Sequence, residues 1–172
     1  MFNFLHTFRP SPILISLGPI NIYWYGVFIV LGVLFAIAVA IYLAKSSNLK
    51  PETILDLAVW LIIGGVIGAR LYDAALEWSY FSAHPLDIFK VWQGGLAIHG
   101  AIIGGLLALW FYVKKYQHNF WQLAAIIATS LPLAQAIGRW GNYFNQELFG
   151  NPTNLTWGIP IDLAHRPWQY LN

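Results

Sequence analysis

The sequence predicts an all-α integral membrane protein, a polytopic bundle of about four transmembrane spans carrying a small extracytoplasmic head segment. Three observations predict it. The chain is 58% hydrophobic and 9% charged, whereas an ordinary soluble domain is roughly 45–50% apolar and about 25% charged. Apolar runs of the ~20 residues needed to cross a bilayer recur along it. Beyond Asn142 the composition shifts to recurring Asn, Pro, Thr and Gly with no helical period.

Residues 1–22, with Pro10, Pro12 and Pro19, suit an interfacial segment better than a span. The first span, 23–44, has no charge and is too long for a signal-peptide core. The second, 54–76, places Asp56, Arg70 and Asp73 towards its ends; the third, 95–113, is charge-free apart from His99; the fourth, 120–138, is interrupted by Pro132. Trp and Tyr mark the span ends, as membrane–water interfaces favour. Gly64/Gly68 and Gly100/Gly104 are small-xxx-small pairs that let helix backbones approach closely. The division expected is a bundle over 1–141 and a head over 142–172.

Short-loop basic residues set the orientation. Lys45 and Lys50 follow the first span and Lys114 and Lys115 close the third, so these two loops are expected in the cytoplasm. The N-terminus, the 77–93 loop and the tail are then outside. A net charge of +2 is no basic patch, so nucleic acid is not an expected partner. With no cysteine the chain has no thiol nucleophile, disulfide or Cys-based metal site of its own.

The polar residues are where function would lie, because ionisable groups at membrane depth are costly. His99 falls one turn after Gly95 and is expected on the same helical face. A lone His in an apolar helix is by default a packing residue, but Trp92-Gln93-Gly94-Gly95 before it and Gly100 after it would let a neighbouring backbone or a lipid head group approach the ring. Burial there would disfavour the imidazolium and leave a nitrogen free to accept a proton. Gln135, Arg139 and Asn142 stand at i, i+4 and i+7, one stripe of a helix. Pro132 shares that face and is expected to kink it. The planar fork of Arg139 suits a phosphate; Arg70 is a second arginine at an outer span end. Glu147 is expected to pair with an arginine or hold a substrate hydroxyl. With Tyr25 at the outer start of the first span, these groups converge on the outer leaflet and point to an anionic lipid.

Four pieces resemble, in order, the motifs of the prolipoprotein diacylglyceryl transferases: Trp24-Tyr25-Gly26, then Gly65-Val66-Ile67-Gly68-Ala69-Arg70-Leu71, then Trp92 to Gly100, and finally Gly138 to Gly150, which is similar to the family signature. The resemblance implies a bacterial inner-membrane enzyme that moves the diacylglyceryl group of phosphatidylglycerol onto the lipobox cysteine of a prolipoprotein. A thioether and glycerol phosphate are its products, and no metal or cofactor is needed. It implies His99, Tyr25, Arg139 and Glu147 as catalytic residues, and Arg139, Asn142, Arg70, Gly100, Asn145 and Gly150 as substrate-binding ones.

Some positions depart from the pattern. Ala124-Ala125 stand where the family usually has an Asp. His165-Arg166-Pro167-Trp168-Gln169-Tyr170 looks like a variant of a later motif, with the basic pair reversed and no closing Glu. The family's final spans and their arginine motif are missing, so a truncated member is expected, one that binds the lipid and transfers poorly by itself. The rival readings are a non-catalytic lipid-binding or assembly subunit and a small channel. The channel is disfavoured because the polar groups cluster at one interface instead of tracing a path across the bilayer.

Overall fold

A computed structural model describes residues 10–156 and 158–170 of the chain. Residues 1–9 of the expected interfacial segment, and Leu171 and Asn172 of the tail, lie outside the described residues. In chain order come strands β1 (Ile13–Leu17) and β2 (Ile20–Tyr23) and helices α1 (Trp24–Ser46), α2 (Pro51–Leu76), α3 (Trp78–Ala83), α4 (Ile98–Tyr116) and α5 (Phe120–Asn145). Short 3-10 turns occupy Pro85–Phe89, Val91–Gln93, Leu163–His165 and Trp168–Tyr170.

Local chemistry sets these boundaries. Pro51 opens α2 with Glu52 in its first turn, where a missing N–H costs nothing and a carboxylate meets the positive helix end. Lys45 closes α1, and Lys114 and Lys115 close α4, complementing the negative ends. Gln117 ends α4 in the left-handed conformation. The Asn119 side chain caps α5 by accepting from the Gln122 N–H at 3.0 Å. Helix α5 runs through Pro132 and onward to Asn145, so Asn142 belongs to the helix and the head begins later than residue 142.

Helices α1, α2 and α5 are long and apolar enough to cross a membrane. Helix α4, the expected third span, has 19 residues, starts at Ile98 rather than Gly95, and carries His99 in its first turn and two lysines in its last. Residues such as Val30, Leu34, Phe35, Val59, Ile63 and Ile67 lie exposed on α1 and α2, far more apolar surface than a soluble monomer shows. The protein is an all-α, multi-pass membrane protein with one antiparallel hairpin, β1–β2, before its first span.

The chain divides into two compact units, one of residues up to Ala36 together with Leu131 onward, the other Ile37–Ser130. The second has a core of Ala40, Ala44, Ile54, Leu57, Leu109, Tyr112, Leu123 and Ile126. The Tyr112 hydroxyl donates to the Thr53 carbonyl at 3.1 Å, so the buried ring leaves no polar atom unpaired. Helices α2 and α4 meet along the expected glycines: a Cβ at Gly68 would collide with the Gly100 carbonyl oxygen and the Gly104 Cα. Gly68→Ala is therefore expected to cost about 1–3 kcal/mol through overpacking, seen as a lower thermal midpoint in detergent. Gly105, one residue from the contact, has open space around it, and Gly105→Ala should leave the midpoint unchanged or higher.

In the first unit, Trp24 stacks on Phe144 (4.7 Å between ring centroids) and on Phe28 (5.8 Å), joining the start of α1 to the end of α5. Gly32 sits against the Ala134 carbonyl, another close approach of these two helices. The Trp24 N–H donates to the Pro12 carbonyl at 3.0 Å, tying the hairpin to the head of α1.

Candidate functional site

The expected site residues fall in both units. Arg70, His99 and Gly100 belong to the second; Tyr25, Arg139, Asn142, Asn145, Glu147 and Gly150 belong to the first.

In the first unit, Arg139 and Gln135 are exposed on α5, one turn apart, and Asn142 is half-buried three residues on. Because α5 is helical to Asn145, the i, i+4, i+7 stripe is present. Among the described residues Arg139 makes no hydrogen bond or ion pair, so its whole guanidinium fork is available. The chain then turns sharply at the helix end, with Gln146 and Leu148 both at φ 51°. This reversal brings Glu147 back over the last turn, where its N–H donates to the Asn142 carbonyl at 3.0 Å. The carboxylate Oε1 accepts from the Asn142 Nδ2 at 2.9 Å and from the Asn145 Nδ2 at 3.3 Å. Among the described residues Glu147 is thus oriented by two amides instead of the expected arginine, and its other oxygen makes no hydrogen bond.

Tyr25 packs its ring on Gly141, where a Cβ would stand 2.7 Å from the Tyr25 Cδ2. Any larger residue at 141 would displace the ring. Tyr25 and Asn145 also line one open groove of about 760 Å³, walled by Ile22, Gly26, Val27 and Val30. Its lining is apolar apart from a few amide and hydroxyl groups, which suits acyl chains. Gly150 is exposed with free space around it.

One residue of this region was not singled out by the sequence reading. Gln146 is 4% exposed; its Nε2 donates to the Asp162 Oδ2 at 2.9 Å and to the Pro10 carbonyl at 3.4 Å, and its Oε1 accepts from the Asp162 N–H at 2.7 Å. It staples the head to the end of α5. The sequence signal was only its place inside the polar run.

In the second unit, two expectations are corrected. His99 is exposed rather than buried, and it does not share a helical face with Gly95. Gly94 (φ 92°) and Gly95 (φ 70°) turn the backbone with positive φ, so the helix begins after them and His99 is its second residue. The ring stacks on Tyr72 of α2, with centroids 6.0 Å apart. Gly100, expected beside substrate, faces the Gly68 carbonyl and the Tyr72 Cβ, so its lack of a side chain serves helix packing.

Arg70, expected at a phosphate, is engaged by the protein itself. Its side chain is buried and donates to five backbone carbonyls of the following loop: Ile88, Gly94, Gly95, Asp87 and Lys90. Asp73 lies 3.6 Å away and the Phe81 ring lies under the guanidinium at 5.0 Å. With five donors and five acceptors, no N–H is left for a ligand. Elsewhere in the loop, Asp87 accepts from the Tyr80 hydroxyl at 2.6 Å and pairs with the Lys90 ammonium at 2.6 Å. The bond from Lys90, then that from Tyr80, holds the Asp87 carboxyl below the usual carboxylate range, and the same hydrogen bonds, more than the carboxylate's charge, raise both partners.

Apolar helices long enough to cross a membrane, one of them ending in the polar run from Arg139 to Glu147, define a class, multi-pass membrane proteins with a polar cluster at the end of a spanning helix. Within that class the chain belongs to the prolipoprotein diacylglyceryl transferase family, whose sequence model matches residues 12–169. It is 49% identical over 164 residues to the phosphatidylglycerol–prolipoprotein diacylglyceryl transferase of Trichormus variabilis, a match covering 95% of this chain and 58% of that protein. The enzyme of the same name from Synechococcus elongatus is 46% identical over 162 residues, covering 94% of this chain and 56% of that protein. That from Acaryochloris marina is 45% identical over 163 residues, covering 95% and 60%. The chain thus spans less than two thirds of the length of these curated relatives.

Proposed function

We propose that this chain takes part in transfer of the diacylglyceryl group from phosphatidylglycerol to the lipobox cysteine of a prolipoprotein, at the outer leaflet of a bacterial inner membrane. The observation that carries the reading is the contrast between its two motif arginines. Arg70 is consumed by carbonyls, whereas among the described residues Arg139 presents a free fork on the stripe that also holds Asn142. A bidentate fork suits a phosphate better than a point charge does.

In this reaction the thiol sulfur attacks the carbon of the diacylated glycerol that carries the phosphate ester. A C–S bond forms, the C–O bond breaks, and glycerol phosphate leaves with the electron pair. The thiol proton goes to a base, for which an accessible imidazole at His99 is suited. Negative charge grows on the departing phosphate, where Arg139 would stabilise it. Glu147, held by Asn142 and Asn145, would accept a hydrogen bond from a glycerol hydroxyl. Tyr25 would supply a further polar contact above the apolar groove, and Gly150 would leave the outer rim open.

The test is transfer to a synthetic lipobox peptide in phosphatidylglycerol vesicles, followed by mass spectrometry for the thioether. Phosphatidylglycerol-dependent thioether is the expected result. Lipid binding without any thioether, also when the chain is expressed in cells, would favour the non-catalytic lipid-binding reading. The orientation has its own test, made clean by the absence of native cysteine. Cysteines at Asn48 and Gln117 should resist an impermeant thiol reagent on intact cells while one at Asn154 reacts; the reverse pattern would turn the site to the cytoplasm.

A further inference from the structure

We infer that Arg70 is a positioning residue, which clamps the loop from Asp87 to Gly95 onto α2 and so sets the start of α4 and the ring of His99. In its consequence for catalysis this rests on the transfer reaction proposed above; in its geometry it stands alone.

The clamp follows from what each donor meets. Nε donates to the Ile88 carbonyl at 2.9 Å, Nη1 to those of Gly94 at 2.8 Å and Gly95 at 2.9 Å, and Nη2 to those of Asp87 at 2.5 Å and Lys90 at 3.5 Å. The residue is 6% exposed. A buried carbonyl without a donor is costly, so one side chain here satisfies a whole irregular segment. The positive φ of Gly94 and Gly95 belongs to the same device, since it turns successive carbonyls towards one nitrogen. Two further contacts extend the clamp to His99. The Ala97 N–H donates to the Ala69 carbonyl at 3.2 Å, and the His99 ring stacks on Tyr72. Residues 69, 70, 72 and 73 of one helix therefore hold both the loop and the first turn of the next.

Gly95 gives a second, independent handle. A Cβ there would stand 2.5 Å from the Arg70 Nη1 and 2.5 Å from the Asp73 Oδ2, whereas a Cβ at Gly94 meets nothing within 4 Å. Both positions carry positive φ, so Gly94→Ala controls for backbone strain while Gly95→Ala also breaks the clamp.

The experiment places a nitroxide on a single cysteine at Leu96 in the full chain, with a second labelled protein at Val59, an exposed α2 position, to report an intact helix pair. Arg70→Lys supplies three donors from a point charge instead of five from a plane, and should raise label mobility at 96 several-fold with no change at 59. Gly95→Ala should do the same, and Gly94→Ala markedly less. In the transfer assay Arg70→Lys should lower kcat by roughly 10²-fold, the size of effect that misplacing a reacting group produces, with KM for phosphatidylglycerol little changed. An unchanged label spectrum in both Arg70→Lys and Gly95→Ala would overturn the inference. So would a raised KM with the loop still ordered, which would return Arg70 to the lipid phosphate. A wild-type chain without transfer would count against the reaction alone, because label mobility decides the clamp with or without turnover.

Discussion

Replacing His99 by glutamine is expected to lower diacylglyceryl transfer by about 10²–10⁴-fold, the loss that follows removal of a general base. Glutamine keeps most of the volume and a polar end, but its amide cannot take up a proton at neutral pH. The environment makes the substitution informative. His99 is exposed in the first turn of α4, and among the described residues its ring stacks on Tyr72 alone. A polar replacement there should leave the fold intact, so lost activity would report chemistry rather than unfolding. Rates are to be compared at equal membrane abundance, with phosphatidylglycerol binding measured alongside. Transfer at near wild-type rate would assign His99 to packing against Tyr72 and leave the thiol proton to another group. Binding retained while transfer collapses is the expected pair of results.

Much of this was legible in the sequence, for identifiable reasons. Membrane helices announce themselves because every apolar side chain on them has lipid or another helix to face, so α1, α2 and α5 appear as long, predominantly apolar runs. The close approach of α2 and α4 was legible too, since glycines four apart on both helices permit little else. The hairpin was not. Its strands are four and five residues long and flank Gly18-Pro19, and the prolines nearby spoke for an irregular segment. The end of α5 lies later than the sequence predicts because Arg139, Asn142 and Asn145 read as the onset of a polar head, while in the fold they are the last turns of the helix.

The partners of the charged residues were the least legible part. Arg70 binds carbonyls, which every residue carries and no sequence marks. Glu147 meets asparagines because two left-handed residues fold the chain back at the helix end. A motif thus located the polar groups without saying which were consumed by the protein itself. The structure separates them: Arg70 is spent within its own unit, and Arg139, among the described residues, is not.

That separation leads to the second large effect. Arg139→Ala is expected to weaken phosphatidylglycerol binding and to lower transfer by about 10²–10³-fold, the scale on which removing a positioned donor from a developing charge acts. Arg139→Lys should recover only part of either quantity, because a single ammonium cannot make the two parallel N–H···O bonds that a guanidinium offers a phosphate. Stability should barely change. The guanidinium is exposed and, among the described residues, holds no other group in place, so a variant that binds lipid poorly should still unfold at the wild-type temperature. The measurement is a binding isotherm for phosphatidylglycerol against a zwitterionic lipid of the same chains, with thermal midpoints taken on the same samples. The comparison between lipids isolates the head group, since the apolar groove beside Tyr25 would take the acyl chains of either. Equal loss for both lipids would place Arg139 outside the phosphate site. Loss confined to the anionic lipid, partly restored by lysine, is what a free fork on the Gln135–Arg139–Asn142 stripe requires.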